Sequence, residues 1–207
     1  MEEIEINSGF RHAWDVMTKT RETVLITGKA GTGKSTLLRH FVKESGRKAV
    51  VVAPTGIAAI NAGGVTVHSF FGLPLRPLMP GDSEIKKYAK YHPKYKIMKE
   101  MEVLVVDEVS MLRADIIDAM DYSLRINLNS PFPFGGKQVV FFGDMFQLEP
   151  VIQNSEVERH LFSEIYQSHY FFHARVFDQL PLPNIELTKV YRQQDETFIH
   201  LLNSIRL

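Results

Sequence analysis

A lysine and a serine stand together at positions 34 and 35 in the run TVLITGKAGTGKSTLLRHF. With Gly28 and Gly33 they satisfy the spacing G-x-x-x-x-G-K-[ST], preceded by a β-branched stretch and followed by a helical pattern, which is the context a phosphate-binding loop demands. The glycines let successive backbone N–H groups curl round a β-phosphate. Lys34 supplies a point charge to the β and γ oxygens, and Ser35 offers a hydroxyl to magnesium. The cradle then comprises Gly28, Ala30, Gly31, Thr32, Gly33, Lys34, Ser35 and Thr36. Glycines serving an ordinary turn are the bland alternative, which the full motif and its context outweigh.

Three further stretches carry chemistry. In EVLVVDEVSML, Asp107 and Glu108 close an apolar run. Asp107 suits a magnesium ligand and Glu108 a base for an attacking water. The same acids would also stabilise the first turn of a following helix, but behind a phosphate loop the catalytic reading is preferred. In QVVFFGDMFQLEPV a strand ends at Gly143 and Asp144, and Gln147 follows in a polar turn. Gln147 has the form of a γ-phosphate sensor and equally that of a solvated loop residue. In ELTKVYRQQDE, Arg192 leaves another strand-like run, placed to stabilise transition-state charge or to pair with Asp195 or Glu196.

The elements that must position these residues are legible as well. The runs TVLITG, KAVVVAP, EVLVVDE, KQVVFFGD, HYFFH and IELTKVYR are too continuously apolar for strands with one wet face, and helix-like segments lie between several of them. An α/β fold with a mostly parallel sheet and helices on both faces follows, with ligands bound beyond the carboxyl edge of the strands. Residues 73–99 break the rhythm with four prolines and the basic, aromatic run KKYAKYHPKYKIMK, read as a long connection with one short helix. Its lysines and tyrosines fit a solvated face better than a second nucleic-acid site. The last helix-like segment begins at Asp195.

The chain has 207 residues, 44% of them apolar, enough for one compact domain, 1–207. Lys plus Arg and Asp plus Glu both number 24, so no global field draws it to polyanions and any basic surface is local. Without cysteine there are no disulfides or thiolate metal sites, and the histidines show no ligand spacing. No run approaches the length needed to span a bilayer, and the acidic N-terminus is unlike a signal peptide. A cytoplasmic protein without membrane contact is the simplest expectation.

Taken together, GKAGTGKST, APTGIAAINAGGVTVHSFFGL, VLVVDEVSML, FFGDMFQLEPV and ELTKVYRQ resemble motifs I, Ia, II, III and IV of superfamily one DNA helicases of the RecD-like, petite integration frequency (Pif) type, from about Thr23 to Gln193. The resemblance implies a RecA-like first motor domain that couples hydrolysis of ATP, with Mg2+, to 5′-to-3′ movement on single-stranded DNA. It implies Lys34 and Ser35 on phosphate and magnesium, Asp107 as metal ligand, Glu108 as base, Gln147 as γ-phosphate sensor and Arg192 as an arginine finger. It also implies that Thr55, Thr66, His68 and one of Phe70 and Phe71 face the DNA. Two adjacent phenylalanines on a strand point opposite ways, so the other packs inside, while exposed aromatics gain about 1–3 kcal/mol per stacked base.

The sequence departs from the family pattern at three places. Phe10 occupies the position of the usual adenine-reading glutamine, where it is expected to stack on the base, and Glu149 replaces a common proline. The chain stops soon after the fourth motif, which implies that the second RecA-like domain, a partner in nucleotide binding, is absent and that this segment alone hydrolyses ATP weakly. A nucleotide-dependent switch without unwinding activity is the competing reading.

Overall fold

The computed structural model describes residues 7–153 and 155–190. Six strands form, β1 (Val24–Gly28), β2 (Ala49–Ala53), β3 (Val65–Thr66), β4 (Val103–Val106), β5 (Gln138–Gly143) and β6 (Asn184–Leu187). They make one sheet in the order β3-β2-β4-β5-β1-β6, with every pairing parallel. Among the described residues seven α-helices accompany them: α1 (Ser8–Lys19), α2 (Lys34–Glu44), α3 (Gly56–Ala62), α4 (Val67–Phe71), α5 (Pro93–Glu100), α6 (Ala114–Leu128) and α7 (Glu156–His160).

The period-two alternation of the strands divides the core. Val103 and Val105 of β4, with Val140 and Phe142 of β5, pack beneath α1 and α2. Leu104 and Val106, with Val139 and Phe141, face α4, α5, α6 and the turns before β6. Because both faces are covered, the central strands are apolar at almost every position, as the sequence indicated.

One expected strand did not form. Within HYFFH, Phe171–His173 is a 3₁₀ turn, and Tyr170 makes only an isolated bridge to Arg113. Phe171 is buried near Phe141, with ring centroids 6.4 Å apart, while Tyr170 and Phe172 stack on each other at 5.4 Å. The apolar run that suggested a strand is satisfied by packing against the sheet instead of joining it. The helix-like segment from Asp195 lies outside the described residues.

The topology also locates the site. The connection after β1 runs through α2 on one face, whereas the chain after β5, β1's neighbour, crosses the other face before reaching β6. A crevice opens at the carboxyl ends of adjacent strands whose connections part in this way. The phosphate loop leaves β1 at that point, Gln147 follows β5, and Asp107 and Glu108 end β4 on the far side of β5.

The stretch GGVTVHSFFG is where strand-based reasoning failed. Its phenylalanines lie on α4, not on a strand, and both are buried, Phe70 at 6% exposure and Phe71 at 0%. They meet edge to face with centroids 4.8 Å apart, and Leu73, Leu78, Ile85 and Met98 from the proline-rich connection join them in one cluster. The expectation that one phenylalanine faces DNA is therefore overturned, because the connection folds back over α4. Replacing Phe71 by Ala is expected to lower stability by about 3–5 kcal/mol, as for large buried aromatics, in a denaturant titration; a loss below about 1 kcal/mol would show that the side chain is not packed in the core.

Candidate functional site

The phosphate loop is built by backbone conformations that side chains oppose. A Cβ on Gly28 would come within 2.5 Å of Thr32 Oγ1 and 2.6 Å of the Leu187 carbonyl oxygen, so the end of β1 tolerates only glycine. Gly33 adopts a left-handed conformation (φ 90°, ψ 11°) at the N-cap of α2 and supplies no capping side chain. The first N–H groups of this 11-residue helix are therefore left for an anion, with the helix dipole in support. Thr32 ties the loop by donating from Oγ1 to the Lys29 carbonyl at 2.8 Å. Lys34 Nζ donates to the carbonyls of Gly28, at 2.5 Å, and Lys29, at 3.2 Å. The ammonium is thus held against the loop that a phosphate would occupy.

Ser35, Asp107, Glu108 and Gln147 line one cleft of about 610 Å³, together with Arg39 and Thr55. Asp107 is 9% exposed and receives the Glu108 N–H on Oδ1 at 3.1 Å. Glu108 is itself in the left-handed region (φ 50°, ψ 45°), a conformation costing of order 1–3 kcal/mol for a residue with a Cβ and characteristic of functional turns. Asp144, almost fully buried, forms an Asx turn by accepting from Phe146 N–H at 3.1 Å, while its carbonyl accepts from Gln147 N–H at 3.1 Å. That turn directs the exposed Gln147 into the cleft.

The carboxylates strain against one another. Burial raises the pKa of Asp107, opposed by the Glu108 N–H and by Lys34 and Arg39. Burial also raises Glu108, helped by the charges of Asp107 and Asp144 and opposed by Lys34. A buried carboxylate beside hydroxyl and carboxylate oxygens is the hard donor set that Mg2+ prefers, so Ser35 and Asp107 fit a magnesium ion arriving with the nucleotide. Arg39 escaped the sequence reading, and Asp144 was read only as the end of a strand. Arg39 lies one helical turn beyond Ser35, a spacing that places both on one face of α2.

The remaining candidates divide. Phe10 is not positioned to stack on adenine: it is 3% exposed, on the inner face of α1 with Ala13 and Met17. The α1 register that buries Ala13 and Met17, spaced three and seven residues on, also buries Phe10. Thr55 and Thr66 are N-caps, accepting from Ala58 N–H and Ser69 N–H, each at 3.2 Å. A hydroxyl that accepts a cap keeps its own proton to donate. His68, on α4, is half-buried, and its pKa is lowered by burial and then by Arg113, with Asp115 opposing. Ala30, Gly31 and Thr36 lie in the loop and first turn of α2 as expected, and Arg192 falls outside the described residues.

Comparison with known proteins places this geometry. A family model described as PIF1-like helicase matches residues 6–207. The ATP-dependent DNA helicase PIF1 of Saccharomyces cerevisiae (strain YJM789) is 38% identical over 200 residues, covering 92% of this chain and 22% of that protein. The ATP-dependent DNA helicase RRM3 of S. cerevisiae is 32% identical over 197 residues, covering 93% and 26%. A Bacteroides Pif1 structure bound to ssDNA matches with TM-score 0.90 and 44% identity, over 99% of this chain and 46% of that one. The chain thus spans roughly a quarter of the curated relatives and about half of the solved protein. Among the described residues no helix is long and apolar enough to cross a membrane.

The raised carboxylates give a signed expectation. Glu108 ionises at higher pH in the folded chain than unfolded, so its ionisation opposes folding. That penalty is absent below the unfolded-state pKa, grows as pH rises through the folded-state value and is complete above it. Without nucleotide, Glu108→Gln is expected to melt at a higher temperature than wild type at about pH 8, with the gap narrowing toward about pH 4. A variant that melts lower at both pH values would show that Glu108 stabilises the turn.

Proposed function

This chain belongs to the PIF1-like helicase family, and from that premise we propose that it is the first, ATP-binding RecA-like motor domain of a longer ATP-dependent DNA helicase that moves 5′ to 3′ on single-stranded DNA. The observation that carries the reading is the convergence of Ser35, Asp107, Glu108 and Gln147 on one cleft at the end of the phosphate loop.

In this reading the orphaned amides of α2 hold the β-phosphate, and Lys34 leaves the Gly28 and Lys29 carbonyls to neutralise the β and γ oxygens. Magnesium, when bound through Ser35 and Asp107, supplies charge to the same oxygens. Glu108 accepts a proton from the attacking water, and its raised pKa makes it a stronger base than an exposed glutamate. Gln147 positions that water against the γ-phosphate from the loop after β5. Arg192 and the second RecA-like domain complete the charge around the γ-phosphate.

Single-stranded DNA is bound next to this cleft. Thr55 and Thr66 donate hydroxyl protons to phosphate oxygens, and His68 offers the one aromatic ring left after Phe70 and Phe71 have been taken into the core. Thr55 lines the nucleotide cleft too, so the two ligands share an edge of the sheet.

Lys34→Ala is expected to reduce ATP turnover of the full-length protein by at least about a hundredfold, since it removes transition-state charge stabilisation; normal turnover in that variant would refute the phosphate-loop assignment. Wild-type turnover is expected to rise on adding single-stranded DNA. A rate indifferent to DNA would favour a nucleotide switch over a motor. His68→Ala should weaken oligonucleotide binding by about fivefold at matched salt, within the range of one stacking contact, and unaltered affinity would remove His68 from the track.

A further inference from the structure

Arg113 follows the catalytic acids by five residues, yet it is absent from the nucleotide cleft. Its side chain is only 17% exposed and joins three parts of the chain. Nε and Nη2 pair with both carboxylate oxygens of Asp115, at 2.9 and 2.8 Å. Nη2 also donates to the Arg76 carbonyl at 3.4 Å, and Asp115 Oδ2 accepts the Leu78 N–H at 2.9 Å, so the pair grips the segment leaving α4. On its other edge, Nη1 lies 3.7 Å from Glu158 Oε1.

Glu158 in turn, on α7, holds the end of the loop that follows Gln147. Its Oε2 accepts Gln153 N–H at 2.7 Å and Ser155 N–H at 3.4 Å, closing the capping box of α7. The carboxyl side chains of Asp115 and Glu158 are 0% and 4% exposed. Neither can withdraw from Arg113 without leaving a buried charge unpaired, which is costly in a low-dielectric interior. The planar guanidinium has donors enough to satisfy both at once, whereas a single ammonium is a point charge. The Arg113 and Asp115 charges also act on His68.

We propose that Arg113 is a positioning residue that fastens the γ-phosphate sensor loop, through Glu158, to the segment leaving the DNA-facing helix α4, so that nucleotide state and grip on single-stranded DNA change together. The inference rests on the motor reading above and adds the residues that transmit between its two ligands. A shift of the Gln147–Gln153 loop on meeting a γ-phosphate is carried by Glu158 to Arg113, and from there to residues 76–78 and α4. Neither Arg113 nor Glu158 lines the nucleotide cleft.

The test uses the full-length protein as wild type, Glu158→Gln and Arg113→Lys. Glu158→Gln keeps an oxygen for the Gln153 N–H while discharging the pair, and Arg113→Lys keeps the charge while losing the bridge. ATP turnover is measured with and without oligothymidine, and oligothymidine affinity with and without a non-hydrolysable ATP analogue. Both variants are expected to retain DNA-free turnover and nucleotide-free DNA affinity within about twofold, while the nucleotide-induced change in affinity shrinks by about fivefold or more, the scale of a lost coupling between sites. Wild-type coupling in both variants would overturn the proposal. So would parallel loss of DNA-free turnover, DNA affinity and melting temperature, which would mark the cluster as a structural brace. If the wild type itself shows no DNA-stimulated turnover, the motor reading fails first and this inference falls with it.

Discussion

The constraint on which this structure depends is the concentration of charged and polar groups at one edge of a sheet whose central strands are buried on both faces. Parallel strands covered on both faces leave their carboxyl ends as the place where polar groups can gather without crossing the core. Here that edge brings together an uncapped helix N-terminus and three carboxylates, Asp107, Glu108 and Asp144. The amides call for an anion and the carboxylates for a cation. A magnesium-bound triphosphate is the ligand proposed to satisfy both; Lys34 rests on loop carbonyls, burial holds Asp107 toward its protonated form, and burial with the charges of Asp107 and Asp144 does the same for Glu108.

The same constraint accounts for features that look unfavourable when taken singly. Glu108 sits in left-handed backbone, and Asp144 is buried in an Asx turn next to it. The Glu108 backbone sacrifices some local stability to aim its side chain into the cleft, and the surrounding close-packed strands over-determine its position. Strand β5, inserted between β1 and β4, sets the distance between phosphate loop and acids and carries Gln147 into the space between them.

In the proposed motor, nucleotide and polynucleotide share one edge of the sheet. Thr55 caps α3 just after β2 and also borders the cleft, so the surfaces proposed for nucleotide and polynucleotide adjoin. The far side of α4 is fixed by the returning connection, where Tyr88 donates to the Phe71 carbonyl at 3.1 Å and Lys94 to the Ser69 carbonyl at 2.6 Å. Part of the basic, aromatic run is therefore spent on holding α4, and the ring of Tyr88 also stacks on His92 at 4.6 Å.

What the sequence determined by itself was where four local features stand: the glycine-rich loop after β1, the acids closing β4, the glutamine after β5, and the α/β alternation that places them on one edge. These survive because glycine sterics, strand periodicity and helix starts act over a few residues. Tertiary structure decided what depends on neighbours distant in the chain. Phe10 was read as a base-stacking residue and proved to be core, since only the packing of α1 beneath the sheet fixes which of its faces is inward. Phe70 and Phe71 alternate in a strand but share an interior on a short helix once Leu78, Ile85 and Met98 close over them. The pairing of Arg113 with Glu158, 45 positions apart, leaves no local pattern. Burial alone makes their charges partners, because in a low-dielectric interior neither is stable unpaired.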